Sequence, residues 1–590
     1  MKIYENTKLP PMRSTYAVRI DQCGYLPGMR KIARIAAPCK SMKLCRANGT
    51  AVLEKEAVCT GPDELSGDTL YAADFSEVRE SGSYYIETDG GERSAEFAIG
   101  EKALDLVFEG MMKAFYYLRC GMDLEPQYAG PFTHKACHLG KAKLWWDHGT
   151  EIHAPGGWHD AGDYGRYVTA GACALQHLLL AWRMYPKAFE VTGEDGRRTG
   201  RTWNIPESGG PLPDLLAECK YELDWMLKLQ LPDGGVSHKE TTAFHAPFIM
   251  PEEDLEQLYF YAVSSMATAD FAAICANASV IYRPFDVSYA NLLIEAAEKS
   301  YAWLEEHPEF LGFQNPPDSG TGGYGEGGDR DNRYWAAAEM YAATGEERYH
   351  RDLKELLRER DEAAQRLKDL EASGQEIGWE ERMAAFSLTD LGYGSVGGFG
   401  SIAYLLAEEK GRTPDADLKE RLRGAFAAEA EYRSVIAERC GYEAAMLRHD
   451  YCWGSNMVLM KHGMLFGIAD YLEGTDRYYE RAAAQLHCLL GVNAPGACYV
   501  TGFGATRVEN PHLRPAYADG IEACIPGYVA GGPNGRPCDH DMQFLDYPEN
   551  LPPMKCFSDS VSCFSLNEIT IYWNSPAVFT CARILAGGKQ

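Results

Sequence analysis

The sequence predicts a mainly α-helical protein led by a small antiparallel β-sandwich, and three observations carry that prediction. Before about residue 100, apolar and β-branched residues come in short alternating runs separated by turn residues. From about residue 102, apolar residues recur at helical spacing over long segments. Between those segments lie long loops rich in Gly, Asp, His and aromatic residues, as in rigid frames that carry a site on their connections. The expected domains are residues 14–100 for the sandwich and 101–590 for the helical part.

In the front part, residues 16–20, 31–36 and 83–88 have strand character, with Gly24, Pro38, Asn48-Gly49, Gly67-Asp68 and Asp89-Gly90-Gly91 as turns. Several short strands in so short a stretch suggest a small antiparallel sandwich. Cys23, Cys39, Cys45 and Cys59 read as core or surface thiols rather than a disulfide set. Helical periodicity follows at residues 104–118, 215–229, 262–282, 292–304, 334–343 and 457–472. Many of these are Ala-rich and apolar on more than one side, as helices buried between helices are. Residues 351–380 differ: they are highly charged, with Leu353, Leu356, Leu357, Leu367 and Leu370 on one stripe and Gly374 as a break. They read as a peripheral helix, with a lid or a dimer contact as the alternative.

With 57 basic and 85 acidic residues the net charge is −28, which argues against nucleic-acid partners or an anionic membrane surface, both of which need clustered Lys and Arg. Apolar residues at 46% and charged residues at 24% are globular values. The 12% of aromatics suits stacking on flat ligands and packing in a core equally well. The most apolar stretch, residues 173–182, is too short to span a bilayer and contains Gln176 and His177. The N-terminal residues lack the pattern of a secretory signal. The eighteen cysteines therefore read as reduced thiols, and a cytoplasmic location is expected, with another export route left open.

Three segments could carry chemistry. Gly156-Gly157-Trp158-His159-Asp160-Ala161-Gly162-Asp163-Tyr164-Gly165 places two carboxylates three residues apart among four glycines. Such a pair can orient one water and accept its proton, or one of the two can simply cap the helix that follows. Near the C-terminus, Glu568 lies among aromatic and β-branched residues, where poor hydration favours the protonated acid; an exposed Glu on the edge of an apolar element is the other reading. Pro511-His512-Leu513-Arg514 offers an imidazole and a guanidinium that could bond sugar hydroxyls, or else pack against Pro511 and join a surface ion pair.

Together these segments resemble glycoside hydrolase family 9, the cellulase-type enzymes. Phe557, Asp559, Phe564, Glu568, Thr570, Asn574 and Ser575 fit that family's acid-bearing motif, and the GGWHDAGDYG run resembles its base-bearing loop. Gly504 and Pro511 to Arg514 fit a further marker, from which Cys498 and Thr506 depart. Ile205-Pro206-Glu207-Ser208-Gly209, Gly234-Gly235-Val236-Ser237-His238-Lys239, Tyr334-Trp335-Ala336, Trp453-Gly454-Ser455-Asn456 and Gly531-Gly532-Pro533-Asn534 are similar to family segments in order. Ile20-Asp21-Gln22-Cys23-Gly24-Tyr25 resembles the immunoglobulin-like module that precedes many members.

The resemblance implies an (α/α)6 barrel of six inner and six outer helices and an inverting hydrolase of β-1,4-linked glucans. It implies Asp163 as general base, Asp160 as its partner in holding the water, and Glu568 as general acid. Inversion requires an acid–base separation of about 6.5–9.5 Å, so that water fits between base and sugar. His512, Arg514 and Asp559 match positions lining the sugar site, and His238 and Trp573 match positions that contact or stack on substrate. An endo-acting enzyme on soluble cellodextrins is expected, with an exo-acting glucosidase, cellobiosidase or glucosaminidase as the alternative and a non-catalytic binding protein as a remote one.

Cys120, Cys137, His138 and His159 supply two thiols and two imidazoles, a set suited to tetrahedral zinc, and many family members carry zinc at matching positions. His134, His148 and His153 are nearby competitors. Four protein ligands leave no open position, so this zinc would be structural. The segment Gly327 to Asn332 resembles a family calcium site, but Asn332 stands where an acid is usual, and no calcium is assigned.

Overall fold

The structure is a computed structural model that describes residues 8–192 and 198–588. Its front strands are β1 (Val18–Arg19), β2 (Ile32–Ile35), β3 (Ser41–Arg46), β4 (Ala51–Glu56), β5 (Val58–Pro62), β6 (Thr69–Asp74), β7 (Gly82–Thr88) and β8 (Phe97–Ile99). They form two four-stranded antiparallel sheets, ordered β1-β2-β6-β5 and β4-β3-β7-β8. Alternation sets the faces: in β3, Met42 and Leu44 are buried while Lys43 between them is exposed. Tyr25, Phe75 and Phe97 meet edge-on or tilted in this core, with centroids 5.5–5.7 Å apart.

Two compact units emerge. The first gathers Met1–Tyr117, Tyr185–Ile205 and Ala430–Gln590. Charge and amide contacts explain why the sandwich belongs with the C-terminal part. Asp21 Oδ2 lies 2.7 Å from His487 Nδ1, and Gln22 Oε1 accepts from the Ala505 and Thr506 amides at 2.8 Å each. The helices here are Asp105–Tyr117, Ser455–Glu473, Tyr479–Leu489 and Ile571–Leu585. Ile571–Leu585 packs on the other three, and Pro576 in its second turn lacks the N–H that would bond the Tyr572 carbonyl, so one helical bond is missing there.

The second unit, Leu118–Met184 with Pro206–Glu429, is built on the helices Val168–Met184, Asp214–Met226, Ser265–Tyr282, Val287–Glu306, Arg330–Thr344, Glu347–Ser373 and Gly397–Leu405. Ser265–Tyr282 is buried nearly all round, as its Ala-rich pattern predicts, and Ser264 caps it by accepting the Ala267 amide. Glu347–Ser373 is the charged helix expected from the sequence, buried along Leu353 and Leu357, and Gly374 closes it in the left-handed conformation (φ 68°). A small sheet in this unit pairs Arg166–Tyr167 with Lys239–Thr241, and that in turn with Tyr259–Phe260. It sets the end of the two-aspartate loop beside residues distant in sequence. Among the described residues, no helix is long and apolar enough to cross a membrane.

Candidate active site

The two-aspartate loop lies in the second unit and is held by its own surroundings. Gly156 and Gly157 adopt φ of 111° and 77°, and a side chain at Gly157 would lie 2.7 Å from the Trp225 ring. The chain then pairs with residues 118–120, as the Cys120 amide donates to Gly157 O (2.8 Å) and the His159 amide to Leu118 O (2.7 Å). Trp158 is fully buried; its amide donates to Glu222 Oε2 (2.6 Å) and its indole N–H to Glu218 Oε1 (2.9 Å). Burial pushes the Glu222 carboxyl up to about 8. Glu218 also receives two bonds from the buried Arg119 guanidinium, which grips Glu207 with two more at 2.9–3.0 Å. Arg166 ties the entry of the loop by donating to Ala154 O (3.0 Å) and Gly156 O (2.7 Å).

Within this frame the Asp160 amide closes the turn on Gly165 O at 2.9 Å. Asp160 is 1% exposed and Asp163 6%. Asp163 Oδ2 accepts from the Gly165 amide (3.1 Å) and the Tyr167 hydroxyl (3.2 Å), and His245 Nδ1 lies 3.1 Å from the same oxygen. The Tyr324 hydroxyl donates to Asp160 Oδ2, while Asp160 Oδ1 is buried without a hydrogen-bond partner. Burial, and then the charge of Asp163, push the Asp160 carboxyl well above the usual carboxylate range. The loop thus holds one carboxylate surrounded by donors next to one that retains its proton more strongly than an ordinary carboxyl does. Such a pair can fix a water and take its proton.

Tyr324, Tyr167 and His245 are contributions that the sequence did not single out. Tyr324 stands 164 positions from its partner, and no local spacing announces it. Its segment is pinned by Lys239, whose buried ammonium donates to Asn315 Oδ1, Thr321 Oγ1 and Gly322 O at 2.6–2.8 Å. Burial lowers Lys239 to about 7, against the pull of Asp163.

His238 is fully buried and stacked on Phe313 at 4.0 Å; Nδ1 lies 2.8 Å from Ser264 Oγ and Nε2 2.9 Å from Gly323 O. Burial lowers it to about 3. Both ring nitrogens have partners inside the protein, and through Gly323 it braces the segment before Tyr324.

The Glu568 segment lies in the first unit. The Glu568 amide donates to Phe564 O (3.1 Å), the Gly531 amide to Glu568 O (2.8 Å) and the His512 amide to Asn567 O (2.9 Å). These backbone bonds bring His512 beside the half-buried Glu568. His512 Nδ1 is 2.6 Å from Val561 O, and Arg514, buried, opens the short helix Arg514–Ala518. Asp559 accepts from the Glu509 amide (2.9 Å), the Asn510 amide (3.0 Å), Asn510 Nδ2 (3.1 Å) and Asn567 Nδ2 (2.9 Å). With four donors on its two oxygens, Asp559 ties Asn567, next to Glu568, to the 509–510 turn. Trp573 is 3% exposed and packed beneath Gly454 and Gly531, whose added Cβ atoms would lie 2.9 and 3.0 Å from its ring.

Cys120, Cys137, His138 and His159 converge, all buried, with their ligand atoms within 4.8 Å of one another. Cys137 Sγ is 3.9 Å from Cys120 Sγ and 3.8 Å from His159 Nε2. Those distances match the edge of about 3.3–3.8 Å expected for a tetrahedral site with bonds of about 2.0–2.3 Å. His138 Nε2 faces Asp254 Oδ2 at 3.3 Å, and its buried Nδ1 has no hydrogen-bond partner, the arrangement that orients an imidazole toward an ion. Its backbone sits at φ 52°, a conformation uncommon for His and held by the surroundings. The four residues fit a metal ion. Of the competitors, His134 Nδ1 lies 2.8 Å from Lys135 O and His148 packs on Tyr259, and none joins the cluster. Among the described residues this is the one group of His, Cys, Asp and Glu placed to share an ion. At the segment resembling a calcium site, Asp329 is engaged by Arg333 Nε at 2.8 Å.

Comparison with known proteins agrees with these features. A sequence model of glycosyl hydrolase family 9 matches residues 105–581, and one of the cellulase N-terminal ig-like domain matches residues 13–93. The chain is 40% identical over 568 residues to a cellodextrinase of Butyrivibrio fibrisolvens, covering 96% of this chain and 99% of that protein. The structure of AaCel9A in complex with cellobiose-like isofagomine aligns with a TM-score of 0.83 at 32% identity, covering 96% of this chain and 99% of that one. A Zn-binding triple mutant of the family 9 endoglucanase J30 aligns with a TM-score of 0.83 at 31% identity, covering 96% of this chain and all of that one.

Proposed function

The chain belongs to glycosyl hydrolase family 9, with that family's (α/α)6 barrel behind an antiparallel β-sandwich, and from that premise we propose that it cleaves β-1,4-glucosidic bonds of soluble cello-oligosaccharides with inversion. Similarity to a cellodextrinase over nearly the full length of both proteins supports that substrate class. In this reading Glu568 protonates the glycosidic oxygen, while Asp163 takes a proton from the water that attacks the anomeric carbon from the opposite face. Asp160 helps to hold that water. His512 and Arg514 bond sugar hydroxyls near the cleaved bond. The observation that carries the base assignment is the convergence of Gly165, Tyr167 and His245 on one oxygen of the buried Asp163. Donors to a carboxylate favour its ionised form, and several of them fix its direction.

The test has two parts. Incubation with cellopentaose, with products separated over time, gives a ladder if cleavage is internal and glucose or cellobiose alone if it proceeds from an end. NMR of the first products shows the α-anomer if the reaction inverts; a β-anomer would overturn the mechanism. We also assign zinc to the Cys120, Cys137, His138 and His159 cluster, because two thiolates and two imidazoles suit that ion. Bound there with all four positions filled, zinc would supply structural bracing and no open site for chemistry. His159 directly precedes Asp160, so a fixed His159 imidazole would stiffen the start of the base-bearing turn. Metal analysis of protein purified without chelators should find about one zinc per chain.

A further inference from the structure

Of the side chains around Asp163, His245 is the partly exposed one: its side chain is 37% accessible, against 8% for Asp163. Its Nδ1 nevertheless lies 3.1 Å from Asp163 Oδ2. Gly165 and Tyr167, which donate to that oxygen, belong to the same stretch of chain as the carboxylate. They move with it. His245 comes from a separate loop that is anchored on both sides. Ahead of it, the Gly320 amide donates to Ala243 O at 2.8 Å, and Thr242 Oγ1 donates to Phe244 O at 2.7 Å. Behind it, Ile249 O accepts from the Tyr164 hydroxyl, and Tyr164 is the residue after Asp163. Consecutive residues of the base-bearing turn are thus tied to one outside loop, which constrains both the position of the carboxylate and its rotation.

We propose that His245 is a positioning residue for the reaction, holding Asp163 Oδ2 from outside the base-bearing loop. The inference rests on the reading of Asp163 as the base. At 3.1 Å the imidazole restricts the carboxylate's rotation and, when protonated, favours its ionised form, as a nearby positive charge does. The titratable and charged groups that also act on Asp163 include Asp160, which opposes its charge, the buried Lys239 ammonium, which supports it, and the Tyr167 hydroxyl.

His245→Phe removes the donor and keeps a ring, whereas His245→Asn places an amide N–H near the position of Nδ1. The expected result on cellopentaose is a fall in kcat of about tenfold for His245→Phe, the worth of one hydrogen bond to a charged group. KM should stay within about twofold, since a positioning bond acts on the reacting step rather than on ground-state binding. The acid limb of the kcat/KM profile should move to higher pH, and His245→Asn should recover most of the lost rate. The thermal midpoint of each variant confirms that it is folded. Unchanged kcat and pH profile in His245→Phe would overturn the inference. So would a raised KM with an unmoved acid limb, which would make His245 a substrate contact. Asp163→Asn, measured alongside, separates the two levels: its inactivity beside an unaffected His245→Phe removes only the role of His245, while an active Asp163→Asn removes the base assignment itself.

Discussion

The two carboxylate-bearing segments are held by different means. The Asp160–Asp163 turn is fixed largely by buried side chains: Arg119 on Glu207 and Glu218, Trp158 on Glu218 and Glu222, Arg166 on two carbonyls, and the Cys/His cluster at its entry. The Glu568 segment is fixed mainly by backbone bonds to residues 512, 531 and 564 and by one structural carboxylate, Asp559. The difference suits their proposed tasks. A base must stay ionised and aimed, and donors together with buried charge serve both ends. The first arrangement also carries more buried charge, and each of those groups becomes costly once its partner is lost.

The comparison is tested first at its two ends. Glu568→Gln and Asp163→Asn should each lower kcat on cellopentaose by about a thousandfold or more, within the range of general acid–base contributions, with the thermal midpoint nearly unchanged. Appreciable activity in either, in assays free of wild-type contamination, would break the assignment. Next, Cys137→Ser should lose the metal, lower the thermal midpoint and reduce kcat by about tenfold or more, the scale on which the surroundings of an ion affect activity. Equal activity and stability before and after chelation would show that the cluster does not brace the base-bearing turn.

Smaller effects separate the two kinds of support. Asp559→Ala leaves the Glu509 and Asn510 amides without their acceptor and should cost about 2 kcal/mol, read from denaturant unfolding. Its activity should fall more than that of a surface control, because Asn567 is released next to Glu568. A further effect concerns pH. Glu222 is raised to about 8 by burial, so between about 4.5 and 8 the folded state binds a proton that the unfolded state has released. Stability then decreases as pH rises through that window, and is highest below it. Glu222→Gln should flatten this dependence in thermal melts at pH 5 and pH 8. An equal slope in wild type and variant would show that Glu222 is not the group responsible.

Much of the architecture was legible locally. The alternation at Met42 and Leu44, the all-round apolar pattern of Ser265–Tyr282 and the break at Gly374 are each set by neighbours a few residues away. The helices Ala416–Arg439 and Tyr479–Leu489 escaped notice: the first is so charged that its apolar positions form no clear stripe, and the second is short. In the site, the aspartates, Glu568 and the four Cys and His residues stood out because their residue types cluster in motifs. His238 and Trp573 stood out for the same reason, but a motif position does not tell which way a ring faces, and their burial appears only in the fold.

What the sequence determined by itself is therefore the fold class, the carboxylate-bearing motifs, and the thiol and imidazole set. Only the tertiary structure decided that Tyr324 and His245 reach the aspartates, that Lys239 pins the Tyr324 segment, and that His238 and Trp573 are enclosed. The physical reason is range. Periodicity and turn chemistry depend on residues within one or two turns of the chain, whereas hydrogen bonds to a buried carboxylate depend on which distant loops the packed helices bring together.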